Sequence, residues 1–117
     1  MRRSAAAYFS DILEACAAIE EVLSGVDLST YEGTRSIRSS VERELITIGE
    51  AVSVLGREAP DEFAAISHAR LIVGLRNVLT HDYPAVDDET VFALAYSDVP
   101  DLRRECSVLL ERMGEAG

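Results

Sequence analysis

There is no lysine in this chain and no tryptophan, and its 117 residues include only three prolines and two cysteines. Each shortage narrows what the chain can be. With so little proline, helices can run uninterrupted, and the abundance of Ala, Leu, Glu and Arg favours them. Two cysteines do not make the framework of a disulfide-stapled secreted fold. Cys16 and Cys106 sit at opposite ends of the chain inside apolar helical patterns and read as buried thiols. No uncharged run approaches the ~20 residues a membrane span needs. Met1-Arg2-Arg3 resembles the start of a signal peptide, but Asp11 and Glu14 arrive before any adequate apolar stretch. The expected location is cytoplasmic, with no membrane partner.

What the chain does have is acid. Its formal net charge is −10, and all eleven of its cations are arginines. An acidic surface opposes the phosphate neutralisation that drives non-specific nucleic-acid affinity. Extended binding along a duplex is thereby excluded and no DNA partner is expected. Any nucleic-acid contact has to be local and carried by a few cations, for which the arginine guanidinium is well suited.

The apolar spacing predicts one all-α domain over residues 1–117. Tyr8, Ile12, Ala15, Ile19 and Val22 mark a helix from Ser4 to Leu23. Asp27 can cap a short helical turn ending near Tyr31, broken by Gly33. Ile37, Val41, Leu45, Ile48, Val52 and Leu55 form the most regular stripe and predict a helix from Thr34 to Leu55, stopped by Gly56. Pro60 opens a short segment, with Asp61 and Glu62 in its first turn. Ser67 is the expected cap of a helix from His68 to His81, whose apolar positions are Leu71, Ile72, Leu75, Val78 and Leu79. Asp87 caps the last run, in which Val91, Ala95, Val99, Leu102, Cys106, Leu109 and Met113 keep one phase through Pro100. That continuity predicts one kinked helix or two collinear ones, with Asp98 as a second cap. Four long helices with short connections predict an antiparallel up-and-down bundle with extra short helices. The width of the apolar faces predicts that one of them is covered by a second copy.

The chemistry gathers in Gly74-Leu75-Arg76-Asn77-Val78-Leu79-Thr80-His81-Asp82-Tyr83-Pro84. Tyr83 precedes a proline and is pushed away from α geometry, so the polar groups collect at a helix C-terminus. Asn77 and His81 are four apart and share a face, as do Arg76 and Tyr83, seven apart. Arg76 and His81 are five apart and diverge by roughly 140°. They can act together if the helix loosens or if two copies meet. A cluster that merely caps the helix end would present the same residue types.

Arg76-x4-His81-x-Tyr83 resembles the signature of HepT-type toxins in the HEPN superfamily. Val41-Glu42-Arg43-Glu44-Leu45-Ile46-Thr47-Ile48-Gly49-Glu50-Ala51, Tyr8 to Ala15, Gly74 to Asn77 and Val86 to Val91 resemble the same family in the same order. Ala69 departs from it, since such proteins often carry tryptophan seven positions before the arginine. The resemblance implies a homodimeric, metal-independent ribonuclease without a cofactor. It would be the toxin of a toxin–antitoxin pair, with RNA as substrate and a minimal nucleotidyltransferase as antitoxin. By position, Arg76 would hold the scissile phosphate and His81 would be the general acid/base. Tyr83 would be the hydroxyl that the antitoxin modifies with AMP, while Asn77 and Glu50 support. Gly74 reads as a point of close helix approach, and His68 as a surface residue. Asp82, Asp87, Asp88 and Glu89 read as capping groups and not as a metal site. The competing expectation is a non-catalytic helical subunit that docks the nucleotidyltransferase and binds a nucleotide or only that partner.

Overall fold

The computed structural model describes residues 3–81 and 86–116, and among them there is helix and no strand. Helix α1 (Ala5–Leu23) starts under a Ser4 cap, whose hydroxyl accepts from the Ala7 amide, and ends before Gly25, at φ 73°. Short α2 (Leu28–Gly33) is capped by Asp27, which accepts from the Thr30 amide at 2.8 Å. Hydrogen bonds from the Thr30 side chain and amide hold the Asp27 carboxyl below its usual range. Then follow α3 (Arg35–Glu58), short α4 (Pro60–Ala64), α5 (Ala69–Thr80), α6 (Asp88–Ala93), a π-helical turn (Leu94–Asp98) and α7 (Val99–Ala116).

The long helices pack in the order α5, α3, α1, α7. Each runs antiparallel to its neighbour. Gly49 and Gly56 of α3 meet Arg76 and Phe63 respectively, and Glu20 of α1 pairs with Arg103 of α7. The up-and-down bundle expected from the stripes is therefore present, drawn out over 46 × 29 × 24 Å. Its core takes Phe9, Ile12, Cys16, Ile19 and Leu23 from α1, one position off the Tyr8 and Val22 stripe. From α3 it takes Val41, Leu45, Ile48, Val52 and Leu55 as expected. Val91, Ala95, Val99, Leu102 and Cys106 supply the last face. Cys16 and Cys106 are fully buried, and burial pushes each thiol up to about 12.

Four local expectations are corrected. Gly56 does not stop α3, which continues to Glu58; a β-carbon there would lie 3.1 Å from the Phe63 ring, so the glycine seats α4 on α3. Ser67 does not cap α5. Its hydroxyl and amide are taken by the Glu105 carboxylate of α7, and the cap position falls to His68, in the left-handed region at φ 60°. Asp98 is no second cap, because the chain stays helical from α6 into α7. The Val99 amide reaches back five residues to the Leu94 carbonyl. This wider turn just before Pro100 lies where its ring and missing N–H disturb the ladder, so the last run is one helix with a π turn. Asp87 does cap α6, accepting from the Glu89 amide and the Thr90 hydroxyl.

The fourth correction concerns α5, which buries only Ala69 and Ile72. Leu71 is 53% exposed, and Leu75, Val78 and Leu79 are half-buried. Leu71, expected on the apolar face, therefore stands outside the core, because α5 rests mainly on α3.

Candidate active site

Every expected site residue that the structure describes lies on α5, at its C-cap, or on the part of α3 beneath it. The contact is set by Gly49. A β-carbon at this position would stand 2.2 Å from Arg76 Cβ and 2.7 Å from its Cγ. The absent side chain is what lets the Arg76 stem lie on the α3 backbone. The role of close approach expected of Gly74 therefore belongs to Gly49, and a β-carbon at Gly74 would meet nothing within 4 Å.

Held there, the Arg76 guanidinium has two partners. One terminal nitrogen donates to Asn77 Oδ1 at 2.9 Å. The other faces Glu50 Oε1 at 3.6 Å. Glu50 follows Gly49 directly, so the residue that admits the arginine stem is next to the one that faces its head. The Arg76 Nε is buried and has no hydrogen-bond partner, while the side chain as a whole is 31% exposed. The cation is positioned by the protein but not consumed by it. Among the described residues the guanidinium makes a single hydrogen bond, and the opposing carboxylate is 56% exposed.

The helix ends one turn later. The Thr80 hydroxyl donates to the Arg76 carbonyl at 3.0 Å, satisfying one of the last carbonyls of α5. His81 follows as an exposed C-cap at φ −96°, its amide donating to the Asn77 carbonyl at 3.2 Å. Thus Glu50, Arg76 and Asn77 are brought together, and His81 stands at the next turn on the outward side shared with Asn77. Tyr83 and Asp82 lie outside the described residues. Among the described residues, no three His, Cys, Asp or Glu side chains are grouped so as to hold a metal ion. Sequence reasoning missed Gly49 and Thr80. The available signal for Gly49 was a glycine in the middle of the most regular apolar stripe.

A family profile described as ribonuclease HepT-like matches residues 12–109. The chain belongs to the ribonuclease HepT-like family. Among its relatives is a protein of Methanocaldococcus jannaschii named "Putative RNase MJ1380", 29% identical over 92% of this chain and 98% of its own length. A second from the same organism, "Putative RNase MJ0125", is 27% identical over 97% of each chain. "Putative RNase TTE0752" of Caldanaerobacter subterraneus subsp. tengcongensis is 24% identical over 90% of this chain and 93% of its own. No solved structure matches significantly. Membership of this HEPN-type family makes RNA cleavage the class of chemistry against which the Arg76 site is to be read.

Proposed function

We propose that the chain is a metal-independent RNA endonuclease whose site is completed by two copies, and that it serves as the toxin of a toxin–antitoxin pair. The observation that carries this reading is the Arg76 guanidinium, positioned by Gly49, Glu50 and Asn77 on a side chain still 31% exposed. A planar guanidinium matches a phosphodiester bidentately. Arg76 holds the scissile phosphate and stabilises the charge that gathers on its oxygens. The ribose 2′-oxygen attacks phosphorus and loses its proton, the bond to the 5′-oxygen breaks, and that oxygen takes up a proton. His81 performs proton transfer at one of these oxygens, a task for which imidazole is suited near neutral pH. No water, metal or cofactor enters this balance.

Two copies answer the divergence of Arg76 and His81 on one helix. The half-covered α5, with exposed Leu71 and half-buried Val78 on one flank, supports a homodimer. Its partner is a minimal nucleotidyltransferase antitoxin. That enzyme transfers AMP from ATP to the Tyr83 hydroxyl, with pyrophosphate leaving. The added phosphate is negative and bulky, repels RNA and competes for Arg76.

Cleavage of RNA by the purified chain in EDTA tests the nuclease. Arg76→Ala and His81→Ala should each lower cleavage by about a hundredfold or more while the chain stays folded. Full activity in both variants refutes the reading. Activity absent from the wild type as well leaves the acidic chain as a subunit that docks the nucleotidyltransferase. Intact mass of the chain co-expressed with its neighbouring nucleotidyltransferase tests the modification, which predicts the mass of one AMP, lost in Tyr83→Phe.

A further inference from the structure

We propose that the cleft between α4 and the start of α5 is a subsite for a nucleotide flanking the one that is cleaved, with Arg70 and His68 binding its phosphate and Phe63 supporting its base. This rests on the ribonuclease reading and adds to it a second RNA contact, one that the Arg76 site does not include.

The first observation is the placement of charge. The chain carries twenty-one acids, yet none falls between Glu62 and Asp82. Both histidines, Arg70 and Arg76 lie in that window. Folding then sorts it by face. Arg70, Gly74, Asn77 and His81, at spacings of 4, 3 and 4, are all exposed and form the outward stripe of α5. This strip carries no carboxylate of its own, and beside it Glu105 is engaged by Ser67 and Glu50 by Arg76. With a cation at one end and the imidazole at the other, it is where a strongly acidic protein can admit a polyanion.

The second observation is the cleft into which this strip leads. It encloses about 600 Å³ and is lined by Pro60, Phe63, His68 and Arg70, with no carboxylate. A groove of nearly the same size, about 630 Å³, runs beside α6 and is lined by Asp87, Glu89 and Asp98. Size does not distinguish the two, but the sign of charge does, and it assigns RNA to the first. Phe63 lies against Gly56 on one side and stays half-buried, so part of its ring can receive a base. Arg70 has no ion-pair partner among the described residues, whereas Arg103 and Arg104 are neutralised by Glu20 and Asp101. The turn made by the left-handed backbone at His68 leaves the imidazole in the cleft wall.

The third is distance. Arg70 precedes Arg76 by six residues, about 9 Å along the helix axis. Arg70 therefore meets a different phosphate from the one at Arg76.

The test uses the full chain and two RNAs: a fluorescent 2′-O-methyl octamer, which binds but lacks the attacking hydroxyl, and a cleavable dinucleotide too short to reach the cleft. Arg70→Gln should weaken octamer binding by about tenfold and lower the slope of log affinity against log salt by about 0.7, the value for one lost single-strand phosphate contact. Arg70→Lys should restore the slope, and dinucleotide cleavage by Arg70→Gln should match wild type. His68→Asn, which tolerates the left-handed backbone, should weaken octamer binding in the same direction. An unchanged slope in Arg70→Gln, or a parallel loss of dinucleotide cleavage, overturns the subsite while leaving the nuclease intact. A wild-type chain that neither binds the octamer nor cleaves either RNA overturns the ribonuclease reading itself.

Discussion

Gly49→Ala and Gly74→Ala make the same chemical change in two helices that pack together, yet the structure gives them opposite signs. At Gly49 the new β-carbon starts 2.2 Å from Arg76 Cβ and needs at least 3.4 Å, a displacement of about 1.2 Å. The obstacle is the base of a side chain and the helix that carries it, so α5 itself has to shift. Overpacking of this kind costs about 1–3 kcal/mol, of which alanine's better helix propensity returns about 1 kcal/mol. The expected net destabilisation is about 0–2 kcal/mol. At Gly74 nothing lies within 4 Å, so only the propensity gain of about 0.5–1 kcal/mol remains. Urea unfolding of both variants should separate them, with Gly74→Ala the more stable. Activity should divide more sharply than stability. Moving a positioned group by about 1 Å can cost on the order of a hundredfold in rate, and here the displaced group is Arg76. Gly49→Ala should thus lose RNA cleavage at a temperature where it is still folded. If it matches Gly74→Ala in stability and wild type in cleavage, α5 does not rest on α3 at this contact and the account of the site fails.

Other consequences can be read from single groups. Glu50→Gln removes one partner of an ion pair whose carboxylate is largely exposed, so stability should change by less than about 1 kcal/mol. A larger fall in RNA cleavage would then report the placement of Arg76. The thiols of Cys16 and Cys106, pushed up to about 12 by burial, should resist alkylation at pH 8 in the native chain and both react once urea unfolds it. Stoichiometric labelling of the native protein would contradict the packing of α1 against α7. Glu42 has its carboxyl raised first by burial and then by Asp88, with Arg38 opposing. The folded state therefore favours the protonated form, and the penalty exists only where Glu42 is ionised. Glu42→Gln should stabilise the chain at pH 7, and its advantage should shrink as pH falls through the carboxylate range. An advantage that is absent at pH 7 or grows on acidification refutes this assignment.

The periodic stripes of α3 and of the last helical run were legible because a helix announces its buried face locally. So were the caps at Asp27 and Asp87, where donor and acceptor lie within three residues of each other. Reading became harder wherever the deciding partner is distant in sequence. Ser67 has the composition of a cap, but Glu105, 38 residues away, takes its hydroxyl and amide. Gly56 resembles a helix stop until the Phe63 ring is placed against it. Gly49 and Gly74 are chemically identical, and only the position of α5 tells which of them is a contact. Arg76, Asn77 and Glu50 could be named as candidates because the family pattern they belong to is local. That Gly49 holds the arginine could not be read, because helix contacts are not written in the spacing of one helix.

The line of packing α5, α3, α1, α7 also grades how firmly each part is held. The two inner helices are covered on both flanks, whereas α5 has one principal neighbour and two buried side chains. Amides of α1 and α3 should exchange with solvent only through global opening, and those of α5 through a smaller, local release from α3. The helix that bears Arg76 is thus, with α7, one of the two outer long helices and cheaper to detach than the inner pair. A ligand that grips it gains rigidity there, and one that peels it from Gly49 and Glu50 would silence the site while the other three helices stay folded.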